Sequence, residues 1–309
     1  MHLSPGLRRA SLLSPNLRGA LLMTGGMATF ALSDACMKAL GEEMPLFQAI
    51  ALRGLGVSLA LGGLAWAQGA RWGRAAPRDR RLMGLRAVAE MATAWTYLQA
   101  LLLMPIANVS AIFQASPLAL TLAGAALLGE RVGRWRWLAV AMGFAGVLLV
   151  VRPGGEGFGL PSVLVLLSVV CVTGRDLASR AIAPAVPSTL VAAVTAAGVA
   201  LFGLAGSLFV DWAPLTGRAA VLLAGTQALL LMGYLAVVSA MRGAEVSFVA
   251  PFRFASLLAS LAVGALLFGT FPDGLTLAGA GVVVLSGLAM LLLGRREGRR
   301  RPEEGAAGM

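Results

Sequence analysis

Asp34-Ala35-Cys36-Met37-Lys38-Ala39, with Pro45 beyond it, returns as Asp176-Leu177-Ala178-Ser179-Arg180-Ala181, with Pro187 beyond it. The four anchors, an Asp, a basic residue, an Ala and a Pro, all shift by 142 positions. Further along, Met104, Ala107, Val109 and Ser110 return as Met241, Ala244, Val246 and Ser247, a shift of 137. Leu127 and Gly129 return as Leu267 and Gly269, a shift of 140. Drift this small fits insertions and deletions in loops. The chain therefore reads as two copies of one unit, over 19–152 and 160–294, with a basic tail over 295–309.

Both copies are apolar. The 309 residues are 58% hydrophobic and 13% charged, with a mean hydropathy of +0.83. Soluble domains carry about 25% charged residues, so this much apolar surface calls for lipid as solvent. The 39 glycines suit close helix packing in a bilayer. The net charge of +11 sits in short segments between apolar runs. That is the pattern of a topology signal and not of a nucleic-acid face. Cys36 and Cys171 both lie in apolar runs, which argues against a disulfide framework. His2 is the sole histidine, and no metal or other cofactor is expected.

A spanning helix needs about 20 apolar residues. Ten candidates fit: 19–39, 46–67, 82–102, 106–128, 136–151, 160–180, 188–210, 219–240, 246–268 and 275–294. The run after Arg18 is too long for a signal-peptide core and contains the Asp34 motif, so it reads as a retained first span. Five spans per copy is an odd number, so the second copy enters the bilayer from the opposite side. The expected fold is thus an all-α integral membrane protein of ten transmembrane helices, arranged as two inverted five-helix repeats. With the N-terminus inside, 18 of the 25 basic residues fall on the cytoplasmic side and 3 outside, the rest lying within spans. The positive-inside rule then puts both termini in the cytoplasm, in a multi-pass protein of a bacterial inner membrane. The tail after Gly294 is strongly polar, and no regular structure is expected there.

Several motifs resemble the EamA-type carriers of the drug/metabolite transporter superfamily. They are Ala51-Leu52-Arg53-Gly54, Met104-Pro105-Ile106-Ala107-Asn108-Val109-Ser110, Pro117, Leu127-Leu128-Gly129-Glu130-Arg131 and Gly143-Phe144-Ala145-Gly146-Val147. The second copy keeps Ala244-Glu245-Val246-Ser247-Phe248-Val249-Ala250-Pro251 and Gly279-Ala280-Gly281. The likeness covers 19–294. It implies solute transport without a bound cofactor and leaves the substrate open. One departure is Thr270, where the second copy lacks the acidic residue that follows Gly129 as Glu130 in the first. This suggests that Glu130 is an end-cap and not part of the transport chemistry.

Ionisable groups in lipid are costly and usually face a cavity or a partner. Asp34 with Lys38, Asp176 with Arg180, and Arg86 with Glu90 are each spaced i,i+4, which puts both members on one helix face. Two readings of the first two pairs stand: local salt bridges near the headgroups, or matched gates at opposite membrane faces. Arg86, Glu90, Thr93 and Tyr97 form one polar stripe on the third span, at steps of 4, 3 and 4. Glu90 is either a proton-coupling carboxylate or a charge held ionised by Arg86. Arg53, Arg175 and Arg253 have no partner in local sequence. Arg53 and Arg253 each lie seven residues into their spans, about 10 Å deep. They can reach a shared cavity from opposite faces and bind a carboxylate or phosphate, with the alternative that they snorkel to the interface. Gln114 on the fourth span, and Gln227 and Tyr234 on the eighth, extend the polar lining. Pro117 and Pro251 interrupt the fourth and ninth spans, a pointer to a carrier site. Trp66, Trp72, Trp135, Trp137 and Trp212 read as an interfacial belt, with Trp95 deeper and a candidate for the cavity wall.

The expectation is a secondary transporter that moves a small anionic or zwitterionic metabolite, such as an amino acid or a derivative of one, by alternating access. Its partners are that substrate and membrane lipid, with no nucleic acid and with homodimerisation open. A channel or lipid scramblase is the alternative. A membrane-embedded enzyme would want a ligand cluster or acid pair, and no such motif occurs in the sequence. There is no Gly-x-x-x-x-Gly-Lys loop for ATP.

Overall fold

The computed structural model describes residues 14–129, 132–153, 159–244 and 246–306. His2, Glu130, Arg131 and Glu245, all named above, lie outside them. Every regular element among the described residues is helical. The long helices are α1 (Pro15–Leu40), α2 (Leu46–Ala67), α3 (Pro77–Leu103), α6 (Arg134–Val151), α7 (Leu160–Ala181), α8 (Ser188–Ser207), α9 (Gly217–Gly243) and α12 (Gly274–Ala306). The remaining runs are broken. α4 (Ile106–Phe113) and α5 (Ser116–Leu128) share one path, as do α10 (Val246–Val249), a 3-10 turn (Ala250–Phe254) and α11 (Ala255–Phe268).

Local sequence explains the boundaries. Ser14 caps α1, its hydroxyl accepting from Leu17 N at 3.2 Å, and Pro15 opens the first turn. Pro117 stands at the start of α5 and Pro251 in the 3-10 turn, where each removes a helical N–H donor. Gly129 and Gly269, the repeated glycines, end α5 and α11 in the left-handed region, at φ 65° and 61°. Each sends its N–H to the carbonyl five residues back, Gly124 and Gly264 respectively. The repeated Leu-x-Gly is thus a repeated helix stop, because glycine takes this conformation without a Cβ clash.

Among the described residues, eight helical segments are long and apolar enough to cross a membrane: α1, α2, α4 with α5, α6, α7, α8, α9, and the 3-10 turn with α11. α3 has the length, at 27 residues, but Arg78, Asp79, Arg80, Arg81, Arg86 and Glu90 lower its hydropathy. The apolar part of α12 is Gly274–Met290. Large apolar side chains coat the outside, Leu59 at 74% exposure and Leu266 at 82% among them. The chain is a multi-pass integral membrane protein. One expectation about the tail is corrected: α12 runs on to Ala306 instead of stopping at Gly294. Arg and Glu dominate this extension and are good helix formers.

The principal helix contacts run between the two halves of the chain. α1 packs on α9, α2 on α8, α3 on α7 and α6 on α12, while α4 meets α11. Small residues permit the approach. A Cβ added to Gly146 would lie 2.8 Å from Gly279 O, and one added to Gly279 would lie 2.6 Å from Gly146 O. α6 and α12 therefore touch backbone to backbone. Polar struts cross the same seams, such as Ser33 on α1 with its hydroxyl 2.9 Å from that of Thr226 on α9.

Candidate functional site

The breaks at Pro117 and Pro251 face a cavity in the middle of the bundle. Its larger lobe is about 390 Å³ and is lined from α1, α2, α3, α4, α5, α7, α9, α11, α12 and the 3-10 turn. A second lobe of about 290 Å³ lies between α1, α2, α3, α7, α8 and α9. Arg53, Glu90 and Arg175 border both lobes, so a belt of charge forms the waist between them.

The charged groups at the waist find partners on other helices. Arg175 Nη1 donates to Glu90 Oε2 at 2.9 Å, joining α7 to α3. Its Nε donates to the neighbouring Asp176 Oδ1, also at 2.9 Å. Tyr97 donates its hydroxyl hydrogen to Asp34 Oδ2 at 2.7 Å, joining α3 to α1. Arg53 reaches Ser33 Oγ only weakly, at 3.4 Å, and its buried Nε has no partner. Gln114 Nε2 is likewise buried without a partner. Ser110 on α4 donates to Ser260 on α11 at 2.7 Å, bridging the two broken runs. Phe30, Phe113 and Phe254 supply apolar wall in the larger lobe.

The residues singled out from sequence divide in placement. Arg53, Glu90, Tyr97, Gln114, Arg253 and Asp34 border the larger lobe, and Tyr234 the smaller. Arg253 is accessible, with no side-chain hydrogen bond or ion pair to another described residue. Gln227 lies off both lobes; its amide donates to Leu52 O at 3.0 Å and acts as a strut between α9 and α2. Trp95 packs against the main core and borders neither lobe.

Two expected i,i+4 pairs are replaced. Lys38 does not pair with Asp34. Its ammonium donates to Leu101 O at 2.6 Å and Met104 O at 2.9 Å, capping the carbonyl end of α3. Arg86 does not hold Glu90, which goes to Arg175. Arg86 Nε instead donates to Ser179 Oγ at 2.8 Å, and its guanidinium also reaches Thr195 Oγ1. The Asp176 carboxylate takes Arg175, and Arg180 occupies the exposed last turn of α7. For Lys38, Arg86 and Glu90 the partner lies on another helix. Sequence reasoning missed Arg175 as the organiser of the waist because Glu90 is 85 positions away.

Both ends of the bundle carry polar ties between the two halves of the chain. Where α1 finishes, Glu43 accepts from Arg218 Nη1 and from Thr216 Oγ1, both at 2.9 Å. Beside them Gln48 exchanges two hydrogen bonds with the backbone of Ala213, at 2.8 and 2.9 Å. At the opposite end Asp79 accepts from Ala183 N at 3.1 Å, and Gln68 from Thr189 at 2.7 Å. No group of three or more metal-ligating side chains occurs among the described residues.

Comparison with known proteins agrees with this architecture. Residues 17–152 match the EamA-like transporter family. The chain is 31% identical over 185 residues to a riboflavin transporter of Vibrio cholerae serotype O1, a match spanning 59% of this chain and 61% of that protein. It is 22% identical over 214 residues to an S-adenosylmethionine uptake transporter of Rickettsia conorii, spanning 68% and 71%. A solved structure described as "Crystal structure of protein" shares the fold, with a TM-score of 0.65 at 22% identity over 90% of this chain and 98% of that one. The match over residues 17–152, made by a bundle of apolar helices around a cavity with a charged waist, makes the first part of the chain similar to the EamA-like transporter family.

Proposed function

We propose that this protein is a secondary carrier. It moves a small anionic or zwitterionic metabolite, such as an amino acid or a derivative, by alternating access through the central cavity. The single observation that carries this reading is the mid-bundle cavity with a charged waist, in which Arg53 and Arg253 stand without a carboxylate hydrogen-bonded to them. A guanidinium in such a place is suited to a carboxylate on the solute. Asp34, Glu90, Tyr97, Gln114 and Tyr234 complete the proposed contact set, with Asp34 and Asp176 also serving as gate residues.

The helix pairing supports two inverted five-span repeats. Exchanging the copies turns the α1–α9 contact into α7–α3, and returns α2–α8 and α6–α12 to themselves. That is the behaviour of a pseudo-two-fold axis in the membrane plane. With both termini in the cytoplasm, the end bearing Glu43 and Arg218 is the outer face. The relatives named for riboflavin and S-adenosylmethionine add both compounds to the set worth testing.

The test is uptake by purified protein in proteoliposomes, using radiolabelled amino acids, riboflavin and S-adenosylmethionine. A carrier gives saturable uptake that is accelerated by unlabelled solute on the far side. Flux that rises linearly with concentration and ignores counter-solute would favour a channel, and lipid flip without solute uptake a scramblase.

A further inference from the structure

The chain has two tyrosines, Tyr97 and Tyr234. They are 137 positions apart, the same shift that relates Met104 to Met241. The two motif aspartates, Asp34 and Asp176, are the other half of this relationship. Each copy therefore carries one tyrosine on its third span and one aspartate on its first. The two copies do not use them alike. In the first, Tyr97 donates to Asp34 at 2.7 Å and ties α3 to α1. In the second, Asp176 is held by Arg175, and Tyr234 donates to Ser188 O at 3.3 Å on the wall of the smaller lobe.

We propose that Tyr97 and Tyr234 are matched positioning residues of the transport cycle, each closing its own side of the cavity by donating to the aspartate of its own copy. This rests on the inverted-repeat carrier reading above. Two inverted copies in one conformation would make a symmetric, shut molecule. Alternating access needs them to differ, each taking the other's arrangement when the carrier turns over. Asp34 and Tyr97 lie in the outer half of α1 and α3, and Asp176 and Tyr234 in the inner half of α7 and α9. The structure is then the inward-facing state, with the outer tie made. In the outward-facing state Tyr97 releases Asp34, and Tyr234 leaves Ser188 for Asp176. A neutral phenol suits this task, because a hydrogen bond to a carboxylate is strong enough to bias two states yet moves no net charge. Asp176 would need to share its carboxylate between Arg175 and the incoming hydroxyl, and its two oxygens allow that.

The experiment uses a reporter cysteine, Ser256→Cys on the wall of the larger lobe, in a Cys36→Ala, Cys171→Ala background. The full chain is reconstituted in right-side-out proteoliposomes, and a membrane-impermeant maleimide is added outside. Labelling then reports the outward-facing population. Tyr97→Phe, which loses one hydroxyl, should raise the labelling rate about threefold to tenfold. Tyr234→Phe should lower it by a similar factor. The opposite signs separate a latch from a general loss of packing. Asp34→Ala should reproduce Tyr97→Phe, and a thermal melt in detergent checks that each variant folds. Shifts of the same sign, or no shift from either tyrosine while the unaltered chain transports saturably, would overturn the latch. Non-saturable flux in the unaltered chain would overturn the carrier reading itself.

Discussion

Glu90 on α3 and Arg175 on α7 meet at 2.9 Å on the waist between the two cavity lobes. Both side chains are about three-quarters buried, Glu90 at 26% and Arg175 at 24% exposure. Arg175 also holds Asp176, so one guanidinium satisfies two carboxylates. Removing one member of such a group leaves an unbalanced charge in a poorly solvated place.

Glu90→Gln should therefore destabilise the protein by about 1–3 kcal/mol, less than a fully buried pair because water reaches part of the site. Arg175→Gln should cost more, since it strands two carboxylates. Melting temperatures in detergent, with the double variant closing a thermodynamic cycle, measure the coupling. The same Glu90→Gln protein tests the proton-coupling reading, which fails if its uptake keeps the unaltered pH dependence.

Arg53→Gln and Arg253→Gln should each weaken binding of a carboxylate solute about tenfold or more, the loss of a charge-assisted hydrogen bond. Fold should survive in Arg253→Gln, because that side chain makes no bond to another described residue. Equilibrium binding of the transported solute to purified protein decides the matter, and unchanged affinity in both variants removes them from the site.

Lys38→Met should cost about 0.5–2 kcal/mol by uncapping the carbonyls of Leu101 and Met104. Lys38→Arg should restore most of the loss if the cap, and not a pair with Asp34, is what Lys38 provides. A thermal melt reads this directly.

Gly146→Leu should destabilise by about 1–3 kcal/mol or more, since a Cβ there already meets the backbone of Gly279. Gly62→Leu, where added atoms meet open space on α2, should be close to neutral. Comparing the two melts separates helix contact from helix propensity.

Asp273, beyond the end of α11, lies outside the spans. Hydrogen bonds from Arg152 and from Thr276 N hold its carboxyl well below the ordinary value of 3.8. The folded pKa is thus depressed, so its contribution is present above the unfolded value and disappears as pH falls through the folded one. Asp273→Asn should lower the melting temperature equally at pH 8 and pH 6. The gap to the unaltered chain should narrow only in acid below about pH 4. A gap that changes between pH 6 and 8 would contradict this assignment.

Much of this molecule was legible in its sequence. Apolar length and the doubled Asp34 motif gave helices that span a membrane, because lipid accepts only backbones that satisfy themselves. Pro117 and Pro251 marked the two broken runs, and Gly129 and Gly269 their ends, since both residue types act through local backbone geometry. The partners of the charges were not legible. Same-helix spacing matched Lys38 to Asp34 and Arg86 to Glu90, but the folded chain offered the end of α3, Ser179, Thr195 and Arg175 at shorter range. The off-cavity position of Gln227 was equally invisible, because helix rotation is set by close packing with α2 and not by the period of polar residues.

Sequence by itself determined that the chain is a set of apolar membrane-spanning helices with recurring motifs, since hydropathy, breakers and repetition are all properties of neighbours along the backbone. Only the tertiary structure decided which charges meet and which remain open to a solute. A guanidinium or carboxylate in a poorly solvated interior takes its nearest partner in space, and residues 63 or 85 positions apart, such as Asp34 with Tyr97 and Glu90 with Arg175, become nearest only when the helices close around the cavity.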